Sequence, residues 1–338
     1  MGSDILGRKA TRGTIAPRVG DLRQVASVRR IALDDGTEKG VRALAFSTGG
    51  GLDFWVLADR SLDIGPCWHC GTPIAWQGPG GFRSPALHDA ADEGGTGFNR
   101  SLCGLLVTGG LDHVRQPNRG KPLHGRLPFT PARVLAYGED WSSDEPVLFC
   151  EGEVTQARYG GEALRLHRRI EAPIGGSALR IKDRVENLLS EPQPHEILYH
   201  FNLGFPAIDE GTVVRVGEGV LAGPMTGPDK TGPSVDCHRM PSAVPCFVTT
   251  PVAGTGDELR ISFQFDTEQL PFLQVWQDMR PHRYVVGVEP CSSGRRDDGT
   301  SAETAPLPGG AARNYHLTLS VSRMKRRENP NGQCCDLT

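Results

Sequence analysis

From residue 25 onward, short runs of β-branched, aromatic and aliphatic residues alternate with turn signals. Residues 27–33 precede Asp34-Asp35-Gly36, 41–47 precede Gly49-Gly50-Gly51, and 52–57 follow. Gly-bearing turns between such runs predict hairpins. The clearest stretch is 146–189, where the runs 147–156, 164–171 and 179–188 are separated by Gly160-Gly161 and Gly175-Gly176. In the last run Leu179, Ile181, Asp183 and Val185 face one way and Arg180, Lys182, Arg184 and Glu186 the other, the period-two signature of a half-buried sheet. A meander is expected there. No segment sustains apolar residues at spacings of three and four between caps, so helix should be scarce and short. Residues 77–99, rich in Gly, Pro, Asp and Ala, read as an irregular loop, and a loop of that length in a compact domain is usually functional. It is expected to cover a cleft.

Composition supports this picture and narrows the function. Gly (43) and Pro (26) are spread through all 338 residues, as many strands and turns require. No compositional break divides the chain, so the expected organisation is an N-terminal arm (1–24), one all-β domain (25–322) and a C-terminal tail (323–338). Lys+Arg 37 against Asp+Glu 40 gives a net charge of −3, which argues against a nucleic-acid or anionic-membrane partner. Neither an apolar signal region nor a membrane-length run is present, making the cytoplasm the default location. Nine cysteines cannot all pair and read as reduced thiols.

Several segments can carry chemistry. In the run 194–206, Glu196, Leu198, His200 and Asn202 share one face of an expected strand. This sets an imidazole that titrates near neutrality beside an amide. The run 284–290 ends in Glu289-Pro290, placing a carboxylate where the strand is expected to stop; partial burial there would raise its pKa toward that of a general base. His113 follows Gly109-Gly110-Leu111-Asp112. His124 and Arg126 flank Gly125 and share a face if extended, while the glycine permits close approach of backbone or ligand. Asp59-Arg60 reads as a charge pair within an apolar strand pattern. Cys67-Trp68-His69-Cys70 has zinc-like spacing without a second half. A divalent metal on His113, His124, Glu196 and His200 is an open alternative, because three imidazoles and a carboxylate suit zinc or iron.

In order along the chain, Asp59-Arg60 with Leu62-Asp63-Ile64, Thr108-Gly109-Gly110-Leu111, Leu123-His124-Gly125-Arg126, Leu198 to Pro206, Glu289-Pro290 and Leu307-Pro308-Gly309 resemble the aldose-1-epimerase (galactose mutarotase) superfamily. They are most similar to its branch known as a domain of unknown function. The resemblance spans residues 25–321 and implies a galactose-mutarotase-like supersandwich of antiparallel sheets, with a free sugar bound on the concave face of one sheet. It implies Glu289 as the base at the anomeric hydroxyl and His200 as the acid at the ring oxygen. Arg60, His113, His124, Arg126 and Asn202 would hold the sugar's polar groups, with Trp276 against its apolar face. Leu198-Tyr199 stands where mutarotases carry a longer Asn-His-Thr segment, and their sugar-binding Asp has no match, which leaves the sugar open. Arg60 and Arg126 would suit a sugar acid. The implied protein is an isomerase acting on a free monosaccharide or sugar acid, requiring no cofactor, with room for a homodimer. A metal-dependent isomerase or a non-catalytic sugar-binding protein on the same fold are the alternatives.

Overall fold

The structure is a computed structural model and describes residues 4–325 apart from 243 and 303. Three antiparallel sheets dominate it. The largest runs in the order Gly219–Ala222, Val213–Val216, Cys246–Pro251, Asp257–Phe265, Ala312–Lys325, Ala178–Asn187, Ala163–Pro173, Val147–Ala157 and Arg133–Asp140. A five-stranded sheet has the order Ser234–Arg239, Phe272–Asp278, Val285–Cys291, Glu196–Gly204 and Leu106–Leu111. A third joins Ser27–Ala32, Arg42–Ser47, Leu52–Leu57, Asp63–His69 and Thr72–Pro73. The expected meander is present, with Leu179, Ile181, Asp183 and Val185 buried on one face of its third strand. Helix among the described residues is limited to single turns such as Arg12–Ile15 and Asp92–Gly95. None is long and apolar enough to cross a membrane.

One contiguous apolar core takes side chains from all three sheets, including Phe54, Ile170, Phe201 and Phe263. It draws in Ala10 and Ile15 from the N-terminal segment. Arg323 to Lys325 extend the last strand, and residues 326–338 lie outside the described ones. Alternation along Glu196–Gly204 links the sheets: Phe201 packs on Phe263 of the large sheet at 5.2 Å between ring centroids, and Tyr199 donates to Asp183 there at 2.7 Å. His200 and Asn202, which alternate with them, therefore belong to the opposite face.

At the junction of the sheets Arg168, with its side chain wholly buried, donates to Asp183 at 2.7 Å and Asp63 at 2.9 Å, while Thr108 donates to the same Asp63. Two carboxylates shared by one fork-shaped cation satisfy charges that would otherwise be costly to bury. Asp63 and Thr108, both within the motifs that carried the family resemblance, thus serve as a pin between sheets.

Two local expectations are corrected. Residues 58–62 form a turn rather than strand. Asp59 accepts from the backbone N–H of Arg42 at 2.7 Å and from its Nε at 2.9 Å, so it does not pair with Arg60. The strand carrying Glu289 does not stop at Pro290; pairing of Cys291 with Leu198 on one side and Phe272 on the other continues the ladder past the missing N–H.

Candidate active site

The five-stranded sheet assembles the site by register. Gln274 lies opposite both Cys237 and Glu289, and the pairs Leu198↔Cys291 and Phe201↔Val288 set His200 beside Glu289 on the next strand. One row across four strands therefore reads Cys237, Gln274, Glu289, His200. Two residues along, the row Trp276, Gly287, Asn202 follows. A Cβ on Gly287 would fall 2.7 Å from Glu289 Oε1, 3.0 Å from His200 Cε1 and 3.3 Å from Trp276 Cε3. The absent side chain is what lets these three groups converge.

Glu289 and His200 form the centre of a cavity of about 270 Å³. His200 Nε2 lies 3.3 Å from Glu289 Oε1, and Gln274 Nε2 donates to Oε2 at 2.6 Å. Phe98, His124 and Trp276 close round the imidazole, with ring centroids 6.2, 5.7 and 5.6 Å from it. Phe98 and Asn99, the last two residues of the long loop after Gln77, line the cavity, whereas the loop's earlier residues do not. His124 Nδ1 accepts from the Arg115 N–H at 3.3 Å, which leaves Nε2–H as its donor.

Burial sets the protonation of the centre. It raises the Glu289 carboxyl to about 8, with Gln274 and then Arg115 acting against it. It lowers His200 to about 4, the nearby Asn202 amide offsetting part of the fall. His124 is held well below 6.5, by burial first and by His200 second. A low-dielectric pocket disfavours every separated charge, so the pair holds one proton between its carboxyl and imidazole near neutral pH.

Of the residues expected in the cleft, Glu289, His200, His124 and Trp276 line this cavity. His113 does not line it; its Nε2 is 2.9 Å from the Gln116 carbonyl and its Nδ1 3.9 Å from Glu196 Oε2. Asn202 donates to the carbonyls of Gly104 and His200 and is wholly buried. Arg126 faces a different cavity, with Asp112 and Arg158. His124 and Gly125 both have positive φ, so the segment turns instead of extending and sends His124 and Arg126 to different places. A Cβ at Gly125 would lie 2.2 Å from the Gly110 carbonyl oxygen, so the close approach there is backbone and not ligand. Arg60 is buried away from the cavity, its guanidinium nitrogens without hydrogen-bond partners among the described residues. The supposed metal set does not converge: among the described residues no group of three or more His, Cys, Asp or Glu side chains is arranged to hold an ion. Cys67 is buried while Cys70 is exposed, and His69 Nε2 lies 3.1 Å from Ser177 Oγ.

Sequence reasoning missed Arg115, Gln274, Gly287 and Arg295. Arg115 is buried and donates to Gln274 Oε1 at 3.2 Å, to Ser293 Oγ and the Ser293 carbonyl at 2.7 Å each, and towards Cys237 and Cys291 sulfurs at 3.5 and 3.3 Å. It thereby braces the glutamine that holds Glu289. Only strand register reveals Gln274, whereas Gly287 within the apolar run before Glu289 was a visible signal.

The family model of a domain of unknown function, DUF4432, matches residues 38–221 and 236–321. No curated protein matches the chain. A solved structure of a provisionally assigned aldose 1-epimerase from Klebsiella pneumoniae is similar over 87% of this chain and 83% of its own, with 19% identity and a TM-score of 0.71. A galactose mutarotase-like protein from Clostridium acetobutylicum is 12% identical over 88% of this chain and 98% of its own, with a TM-score of 0.60. The galactose 1-epimerase of Lactobacillus acidophilus is 10% identical over 88% and 99%, with a TM-score of 0.52. These likenesses establish the galactose-mutarotase-like fold.

Proposed function

The chain belongs to the DUF4432 family, and on that footing we propose that it is an isomerase of the aldose 1-epimerase type, interconverting the anomers of a free monosaccharide by acid–base chemistry. The observation that carries this reading is the His200–Glu289 pair, 3.3 Å apart in a cavity of about 270 Å³. That volume is just below the usual range of roughly 300–1,000 Å³ for ligand pockets and suits one sugar ring.

Anomer exchange needs a proton removed from the anomeric hydroxyl and one delivered to the ring oxygen. The C1–O5 bond then breaks as C1=O1 forms; after rotation about C1–C2 the steps reverse on the other face. A pair holding one proton can give at one oxygen, take at the other and return to its starting charge. Starting from carboxylate and imidazolium, Glu289 takes the O1 proton and His200 supplies O5. Burial favours carboxylic acid and neutral imidazole, so a proton must first cross the 3.3 Å contact, which binding is expected to tighten. His124 offers Nε2–H to a sugar oxygen, and Phe98 and Trp276 offer apolar faces to ring C–H groups.

Anomer-resolved NMR exchange spectroscopy on a panel of aldoses tests the reading. Exchange faster than in buffer, lost in Glu289→Gln and His200→Ala variants that remain folded, is the expected result. Full activity in either variant sinks the assignment, and binding without exchange identifies a sugar-binding protein instead.

A further inference from the structure

Charge around the cavity is unevenly distributed. Among the described residues that line it, Glu289 is the one carboxylate, and Arg115 and Arg295 are the two guanidinium groups. Arg115 is committed to the protein: its donors go to Gln274, Ser293 and the sulfurs of Cys237 and Cys291. It also helps lower the Cys237 thiol, after the hydrogen bond from Cys291. Arg295 has no such commitment. Its side chain makes a single hydrogen bond, Nη1 to the Arg296 carbonyl at 3.3 Å, and no ion pair among the described residues.

The backbone holds that guanidinium at the rim. Arg295 lies on the strand-to-turn segment after Glu289, closed by its bridge to Ser301 and by the Arg296 N–H to Thr300 carbonyl bond at 2.9 Å. Gly299 sits in that turn with φ +82°, and a Cβ there would lie 3.2 Å from Arg295 Nη2 and 2.9 Å from Gln116 Cγ. Gly299 and Gln116 both line the cavity, and the Arg295 charge reaches Glu289. The turn thus presents a planar cation, half-buried and without an ion pair among the described residues, in the wall of the cavity that holds Glu289 and His200.

We propose that the sugar bound here carries an oxyanion on its exocyclic carbon, most simply the carboxylate of a hexuronate, and that Arg295 binds it. A neutral hexose leaves the guanidinium facing the cavity without an anion, whereas a carboxylate meets its two parallel N–H groups in a fork that no neutral hydroxyl reproduces. The same cation would accept a hexose 6-phosphate, a bulkier ligand for a cavity of this volume. The inference rests on the proposed sugar chemistry for its site and differs from it in what it tests.

Two readouts keep them apart: anomer exchange, and calorimetric binding. Glucuronate and galacturonate are compared with glucose, galactose and glucose 6-phosphate on the wild type, Arg295→Gln and Arg295→Lys. The expected result is a hexuronate preference in the wild type that falls about 10- to 100-fold in Arg295→Gln, as loss of a charge-assisted pair implies, and is partly kept in Arg295→Lys. A preference for the 6-phosphate that falls in the same way upholds the oxyanion and changes its kind. Should no sugar undergo exchange, the epimerase reading fails, yet hexuronate binding that is tighter than hexose binding and lost in Arg295→Gln still upholds the inference. Equal binding of acidic and neutral sugars by the wild type, no binding of either, or a preference untouched in Arg295→Gln, overturns it.

Discussion

Replacing Glu289 by glutamine separates the charge of the site from its shape. Burial moves this carboxyl from 4.5 to about 8, so between those pH values the folded chain keeps a proton that the unfolded chain has released. Folding then binds protons, and stability falls as pH rises through this window. His200 acts in the opposite sense below 6.5. With its pKa lowered to about 4, the unfolded chain takes up a proton that the folded chain refuses, and stability falls as pH falls. The Glu289 slope is therefore unopposed by His200 between 6.5 and about 8. At about 1.4 kcal/mol per pH unit, it amounts to about 2 kcal/mol there. The amide has no such slope and can still accept the hydrogen bond that Gln274 now makes at 2.6 Å. Urea denaturation of both proteins at pH 6.5 and 8 should show Glu289→Gln gaining about 2 kcal/mol on the wild type as pH rises. Other titrating groups, Cys237 included, cancel to first order in the double difference. Parallel stability curves would mean that Glu289 is ionised at neutral pH in the folded chain and would refute the buried-acid argument, whatever the activity of the variant.

The one-proton requirement also shapes the pH–rate profile. The pair holds two protons below about 4 and none above about 8, so exchange rates should form a plateau between those values and fall on both sides, as initial rates across pH will reveal. Gly287→Ala should leave the fold intact by circular dichroism but reduce kcat/KM on the order of 100-fold, because its Cβ would displace Glu289 and His200 by a fraction of an ångström to an ångström. Arg168→Met should destabilise the chain by about 3–5 kcal/mol in guanidinium denaturation, since it strands Asp63 and Asp183 without their cation. By contrast Arg184→Met, removing a pair with Glu186 at the surface, should change stability by less than about 1 kcal/mol.

Period-two alternation made the sheets legible because each strand of the meander has one face in the core and one in water. The central strand Glu196–Gly204 is buried on both faces. Its alternation still separated His200 and Asn202 from Tyr199 and Phe201, but burial alone could not say which face held chemistry. Glu289 and His200 were found through the family resemblance, since burial pattern and residue type fit a structural role equally well. Arg60 and Arg126 were misplaced because a strand pattern was carried through turns: positive φ at Ser61 and Leu62, and at His124 and Gly125, redirects the chain there. Gln274 and Arg295 lacked a local signal, because their roles depend on which strand lies next to Glu289 and where the following turn folds back. Such pairings are long-range facts.

The separation of faces also explains how a strained charge arrangement can persist in the middle of a sheet. An acid and an imidazole with opposed pKa shifts gain little from being buried together, and they need neighbours that cannot move away. Tyr199, one residue from His200, donates to Asp183, which shares Arg168 with Asp63 on the Asp63–His69 strand. Gln274, clamped by Arg115, holds Glu289 from the other side. The inward face is fixed by a satisfied ionic network, and the outward face keeps one proton between two poorly solvated groups. Loosening the first should therefore disturb the second. A conservative Tyr199→Phe substitution removes one hydrogen bond 2.7 Å long and no charge, and its effect should appear in kcat/KM as well as in stability, although the residue does not line the cavity.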